Sequence, residues 1–207
     1  MQYGPVLDFP LKDKVVLITG GGAGIGLAFA QTCHAQGAKV LIGDLRLAPE
    51  ASDWTSTLSP STFHFQTTNV SDWSSLHALI TASVSAFGDV PDVYAPVAGV
   101  FEPLWSNFWD DSESAQGHYK TVSINVEHPL KLTRMALRAL AGAEKQGVVC
   151  LVASTAGVRG NFLSCLYASS KHAVVGFAKS MGMADREMGV RVVCICPGYV
   201  QSLFWFL

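Results

Sequence analysis

Charge is scarce in this chain: 14% of its 207 residues are Asp, Glu, Lys or Arg, and 14 cationic against 16 acidic side chains leave a net charge of −2. No basic stripe runs along it, so the electrostatic footprint of a nucleic-acid binder is missing and nucleic acid is set aside as a partner. Long apolar runs are missing too. No stretch approaches the roughly 20 residues of a membrane span, and Met1-Gln2-Tyr3-Gly4-Pro5 has neither the basic nor the apolar region of a secretory signal. The expectations are no membrane contact and a cytoplasmic location. Cysteine is sparse and odd in number, and Cys33, Cys150, Cys165, Cys194 and Cys196 are scattered rather than arranged as a disulfide framework. Cys194 and Cys196 would share one face of a strand, but no nearby His or Cys completes a ligand set, so core packing is expected there. The six histidines show no pairing at helical spacing, and no metal site is expected. Linkers, low-complexity tracts and internal repeats are absent, so residues 1–207 are read as one domain.

Apolar side chains, by contrast, make up 49% of the chain, as a parallel sheet covered on both faces requires. The run Val15-Val16-Leu17-Ile18 leads directly into Thr19-Gly20-Gly21-Gly22-Ala23-Gly24-Ile25-Gly26 and then into an alanine-rich helical pattern. A pyrophosphate can lie against main-chain N–H groups and the positive end of a helix only where no side chain intervenes, and glycine supplies that clearance. The spacing predicts a strand over Lys14–Thr19 and a helix from about Ile25 to Gln36, stopped by Gly37. A second strand, Ala38 to Asp44, ends in a carboxylate about twenty residues beyond the glycines, where a dinucleotide fold places its ribose ligand. A bare tight turn between strand and helix is the alternative that this combined context disfavours.

The alternation continues. Thr62 to Gln66 reads as a third strand and Val70 to Phe87 as a helix opening at Ser71 or Asp72 and closed by Gly88. Pro91 to Val97 is a fourth strand. Between Phe101 and Gly117 the rhythm breaks into either a short irregular helix or an aromatic loop. A long helix is predicted from about His118 to Ala141, interrupted or kinked near Pro129. Gly147 to Ala153 is a fifth strand, Leu166 to Met188 a helix, and Gly189 to Cys196 a sixth strand. The fold class is α/β, a Rossmann-type doubly wound parallel sheet in the order 3-2-1-4-5-6.

A second constellation is Tyr167-Ala168-Ser169-Ser170-Lys171, with Ser154 thirteen residues before Tyr167 at the end of the fifth strand. Positions four apart share a helix face, so Lys171 can bring its ammonium beside the Tyr167 phenol. That cation, joined by the positive charge of an oxidised nicotinamide, would favour phenolate and pull the phenol's pKa down from about 10. Such a phenol accepts a proton from an alcohol as hydride leaves, or donates one to a carbonyl in reverse, while Ser154 holds the substrate oxygen. A surface lysine packed over an aromatic ring is the bland alternative. The location at the carboxyl edge of the fifth strand favours the chemistry.

From Lys14 to Ser202 the chain resembles the short-chain dehydrogenase/reductase family, through Thr19-Gly20-x-x-x-Gly24-x-Gly26, Asp44, Ala98-Gly99, Asn125, Ser154, Tyr167-x-x-x-Lys171 and Pro197-Gly198. The resemblance implies a catalytic set: Tyr167 as acid/base, Lys171 holding the nicotinamide ribose and tuning Tyr167, Ser154 orienting the substrate, and Asn125 positioning a water that links Lys171 to solvent. It implies a cofactor bed of Gly20, Gly22, Gly24, Ile25, Gly26, Asp44, Asn69, Val70, Ala98, Gly99, Pro197 and Val200, shared with Tyr167 and Lys171. The cofactor is NAD, with Arg46 near enough to tolerate NADP, and the partner is a small-molecule alcohol or ketone. The segment Phe101 to Trp109 is similar to fungal 15-hydroxyprostaglandin dehydrogenase-like members.

Three places depart from the family pattern. Pro96-Val97-Ala98-Gly99 replaces the usual Asn-Asn-Ala-Gly, and Asn69-Val70 stands where an acidic residue often meets adenine. After Pro197-Gly198-Tyr199-Val200-Gln201-Ser202 the sequence reads Leu203-Phe204-Trp205-Phe206-Leu207, where the family has a substrate cover, another helix and a seventh strand. The expectation is therefore a C-terminally truncated sheet whose sixth strand is an edge, and a homo-oligomer. Two functions stay open: an NAD-dependent oxidoreductase, or a catalytically impaired NAD-binding protein that associates with itself or a full-length relative. Leu203 to Leu207 could pair with another chain or tuck into the substrate cleft.

Overall fold

The computed structural model describes residues 8–102, 107–110 and 119–200. Five successive apolar or β-branched residues form β1 (Val15–Thr19), and all five are buried. A run of that kind has no solvent face and needs cover on both sides. β1 accordingly lies inside a sheet of six parallel strands, with β2 (Lys39–Asp44), β3 (Phe63–Thr67), β4 (Val93–Pro96), β5 (Gly147–Val152) and β6 (Val190–Ile195). The order is β3-β2-β1-β4-β5-β6, as expected.

In-register pairing of Val16 with Val40 and Ile18 with Ile42 stacks these side chains on one face, against Ala30 and Cys33 of α1 (Gly24–Ala35). Leu17 and Leu41 point to the opposite face and meet Leu76, Leu79, Leu132, Leu140 and Val174 from α3 (Trp73–Phe87), α5 (His128–Gly142) and α6 (Cys165–Ser180). The period-2 alternation thus fills two separate cores, one under each helical layer.

Local signals set several boundaries. Asp72 caps α3 by accepting from Ser74 N–H at 2.8 Å, and Gly88 ends it at φ +80° in the left-handed region. α2 (Pro49–Thr55) was not anticipated; Pro49 occupies a first-turn position, where a missing N–H is harmless. The helix expected over 166–188 is two helices. α6 stops at Ser180 and α7 (Ala184–Met188) follows a turn containing Gly182, whose helix cost of about 1 kcal/mol favours a break. The long helix near Pro129 is α4 (Lys120–Val122), a π-helical turn (Ser123–Glu127) and α5 in succession, so the interruption falls just before the proline. Its expected start at His118 lies outside the described residues, as do most of the 101–117 segment and all of Leu203 to Leu207. Among the described residues no helix is long and apolar enough to cross a membrane. β6 is a sheet edge there, with Val193 and Ile195 37% and 43% exposed.

Candidate functional site

The carboxyl ends of the strands open into a cleft of about 1560 Å³. That exceeds the roughly 300–1,000 Å³ of an ordinary small-ligand pocket and leaves room for a dinucleotide beside a substrate. Gly20, Gly22, Gly24, Ile25, Gly26, Asp44, Asn69, Val70, Ala98, Gly99, Ser154, Tyr167, Lys171, Pro197 and Val200 all face it. Asn125 is buried behind the cleft.

The glycine loop is anchored at its root. Thr19 C=O accepts from Val97 and Ala98 N–H at 3.1 and 2.9 Å, and Gly20 N–H donates to Gly43 C=O at 2.8 Å. Gly20 has φ +71°, and a Cβ there would stand 2.5 Å from Ala98 Cα. At Gly22 a Cβ would run into the Arg46 carbonyl and stand 2.8 Å from Asp44 Oδ2. The loop therefore presents main chain to the cleft, as close approach of a phosphate requires. α1 starts behind it with no side-chain cap and no acid in its first turn, which leaves its first N–H groups to an anion.

Asp44, at the end of β2, is oriented by two main-chain donors: Gly22 N–H to Oδ2 at 2.8 Å and Leu45 N–H to Oδ1 at 2.7 Å. A carboxylate has about four acceptor positions, so two remain for a diol. Asn69 Oδ1 accepts from Ser71 N–H at 3.1 Å, fixing the amide at the rim.

The second half of the site gathers on α6. Lys171 is 5% exposed; its Nζ donates to Val152 C=O at 2.9 Å and lies 5.6 Å from the Tyr167 ring centroid. Burial pushes its pKa down to about 8. Tyr167 is also buried, and burial raises its phenol pKa while a hydrogen bond with Ser154 pulls the other way. Ser154 is the group that eases ionisation here; the downward pull expected from Lys171 is one exerted jointly with an oxidised nicotinamide. Ser154 also caps the short turn Thr155–Gly157, with Oγ accepting from Ala156 N–H at 3.1 Å. Thr155 N–H donates to Pro197 C=O at 2.9 Å, which brings the segment after β6 to the rim.

Asn125 joins the two halves. Its Oδ1 accepts from Val100 N–H and its Nδ2 donates to Val100 C=O, both at 2.9 Å, and Nδ2 also reaches Ser170 Oγ at 3.1 Å. Ser170 in turn donates to Tyr167 C=O at 2.7 Å.

The short chain dehydrogenase family model matches residues 14–205. The chain belongs to the short chain dehydrogenase family. It is 30% identical over 195 residues to galactitol 2-dehydrogenase of Agrobacterium fabrum, covering 94% of this chain and 73% of that protein. It is 33% identical over 192 residues to asnovolin H dehydrogenase of Aspergillus novofumigatus, covering 93% of this chain and 71% of that one. A short chain dehydrogenase/reductase from Burkholderia phymatum, solved in complex with NAD, superposes with a TM-score of 0.82 at 26% identity, over 95% of this chain and 69% of that one. As a short chain dehydrogenase the protein is an oxidoreductase.

Three contacts of this dehydrogenase site had no signal in the sequence. Glu102 Oε1 accepts from the backbone N–H of Tyr167 at 2.7 Å, the Phe101 ring packs 4.8 Å from the Tyr167 ring, and His128 sits between Thr19 and Ile124. Each joins residues that no local pattern connects, apart from His128 to Ile124, which are one helical turn apart.

Proposed function

We propose that the chain is an NAD-dependent oxidoreductase acting on a secondary alcohol or ketone, with Tyr167 as the acid/base. The observation that supports this best is the convergence of Ser154, Tyr167 and Lys171 on the cleft that the glycine loop and Asp44 also line. The residues fit NAD: the bare main chain at Gly22 suits a pyrophosphate, and Asp44 keeps acceptor positions for ribose hydroxyls. Bound there, NAD supplies the acceptor for the hydride that leaves the alcohol carbon. Tyr167 takes the hydroxyl proton in oxidation and returns it to the carbonyl oxygen in reduction. Ser154 has a single O–H to donate: it eases ionisation of the phenol and turns to the substrate oxygen once that oxygen lies between the two residues. An ammonium has three donors; with one on Val152 C=O, Lys171 has two for the ribose and the phenol. Asn125 braces Val100 against α6 and positions the water that connects Lys171 to solvent.

The substrate end of the cleft carries three large apolar side chains beside Arg159 and Asn161. Val158, Phe162 and Leu163 line it at 59%, 76% and 80% exposure, with the Trp109 ring 4.8 Å from Phe162. Asn161 Oδ1 accepts from Leu163 N–H at 3.1 Å, which leaves its amide N–H groups to the cleft. A polyol's hydroxyls could pair with Arg159 and Asn161 but not with Val158, Phe162 or Leu163, where each one buried without a partner costs about 1–3 kcal/mol. A cyclic apolar alcohol or ketone would cover them. Turnover on a panel of cyclic ketones and sugar ketoses tests this: kcat/KM is expected to favour the cyclic ketones by at least about tenfold, and a preference for ketoses would overturn it.

Cofactor choice rests on Asp44, which accepts from ribose hydroxyls and repels a 2′-phosphate. Fluorescence titration should show NADH binding more tightly than NADPH, with Asp44→Ala narrowing the gap by about tenfold, the worth of one charged contact. Tighter NADPH binding, through Arg46 at the rim, would contradict the assignment.

A second reading is an associating NAD-binding protein with impaired turnover; the exposed Val193 and Ile195 on the β6 edge favour its association half. It predicts saturable NADH binding, mass growing with concentration in light scattering, and no turnover across the panel.

A further inference from the structure

Pro129 removes a hydrogen-bond donor close to Asn125, and one buried side chain supplies a replacement. His128 N–H donates to Ser123 C=O, five residues back, the spacing of a π-helix. The next rung at that spacing would run from residue 129 to the Ile124 carbonyl, and a proline has no N–H to give. A carbonyl withdrawn even partly from water and left without a partner is costly. His128 Nδ1 lies 3.1 Å from that carbonyl.

The pairing fixes the state of the ring. A carbonyl only accepts, so Nδ1 carries the proton and Nε2 is left as an acceptor. Facing Nε2 at 3.0 Å is Thr19 Oγ1, which therefore donates. Both residues are fully buried. Burial pushes the imidazole pKa down to about 4 against the pull of the Ile124 carbonyl, and the positive Lys171 acts in the same direction as burial, so the ring is neutral at physiological pH.

These two bonds reach the two halves of the site. Thr19 is the last residue before the glycine loop, and its carbonyl anchors Val97 and Ala98. Ile124 immediately precedes Asn125, whose amide holds Val100 and Ser170. We propose that His128 is a positioning residue: with its proton on Nδ1 it closes the π turn that aims Asn125 and keeps that turn in register with the root of the glycine loop. It acts through Asn125 and Thr19 and touches no reacting atom. The kinetic consequence rests on the oxidoreductase reading; the ring's protonation state does not.

Three substitutions separate the two bonds. His128→Asn keeps a donor near the Nδ1 position, His128→Gln keeps an acceptor near Nε2, and His128→Leu keeps volume alone. With NADH and a cyclic ketone, His128→Leu should lower kcat by about 10- to 100-fold, the scale of an ångström of misplacement, and raise KM for NADH. His128→Asn should recover kcat in the main, and His128→Gln the KM. A wild-type kcat in His128→Leu, or losses that simply follow the three melting temperatures, would overturn the proposal. Nitrogen NMR of histidine-labelled wild-type protein supplies an arm independent of activity: a protonated Nδ1 and bare Nε2 are expected, and the reverse tautomer would overturn it. Absence of turnover in the wild type would defeat the oxidoreductase reading, and full turnover in Tyr167→Phe would defeat that residue as its acid/base; in either case the NMR result would still decide the state of the His128 ring.

Discussion

Tyr167→Phe is expected to lower turnover by at least about 100-fold, the usual worth of a positioned acid/base, while NADH affinity changes little. The ring itself is held by packing: Phe101 lies 4.8 Å away and the backbone N–H is fixed by Glu102 at 2.7 Å. Removing one oxygen leaves those contacts in place. What is lost is the proton at the point where Ser154 directs the substrate oxygen. Because burial raises the phenol pKa above its ordinary value, the folded protein keeps Tyr167 protonated through neutral pH. Ketone reduction, which needs the acid, should then be flat across that range, and alcohol oxidation, which needs the phenolate, should climb with pH. Steady-state rates in both directions check this, and wild-type rates in Tyr167→Phe would eliminate the assignment.

Gly22→Ala should weaken NADH binding by about 10- to 100-fold with the fold retained, on the scale of about 1–3 kcal/mol for overpacking a close contact. The added methyl would press on the Arg46 carbonyl, which is main chain and cannot swing aside, and on Asp44. Relief requires the loop to lift, which breaks the Gly22 N–H bond to Asp44 Oδ2 at 2.8 Å. Pyrophosphate bed and ribose ligand are thereby lost together. Circular dichroism should be unchanged, because β1 and β2 pair along their whole length below the loop. Wild-type NADH affinity in this variant would show that the phosphate lies elsewhere.

What could be read from the sequence was what local chemistry dictates. The uninterrupted apolar run of β1 demanded a doubly covered strand, and the βα rhythm then led to the strand order. The spacing from glycines to Asp44 and the four-residue step from Tyr167 to Lys171 both correspond to contacts in one cleft. The π turn was not legible, because it depends on His128 supplying a donor that Pro129 lacks, a substitution of side chain for backbone that has no periodic signature. Nor was the engagement of Lys171 by Val152 C=O, or of Tyr167 N–H by Glu102, since both partners come from elsewhere in the chain. Burial, which raises the phenol pKa, was likewise not legible, since it is set by the whole fold.

The most direct test of the central claim is isotope transfer. NADH carrying deuterium at the transferable nicotinamide position is incubated with a cyclic ketone and the wild-type protein, and the product alcohol is examined by mass spectrometry. One deuterium on the carbinol carbon is the predicted result; saturable NADH binding with no labelled alcohol from any ketone would contradict the oxidoreductase assignment.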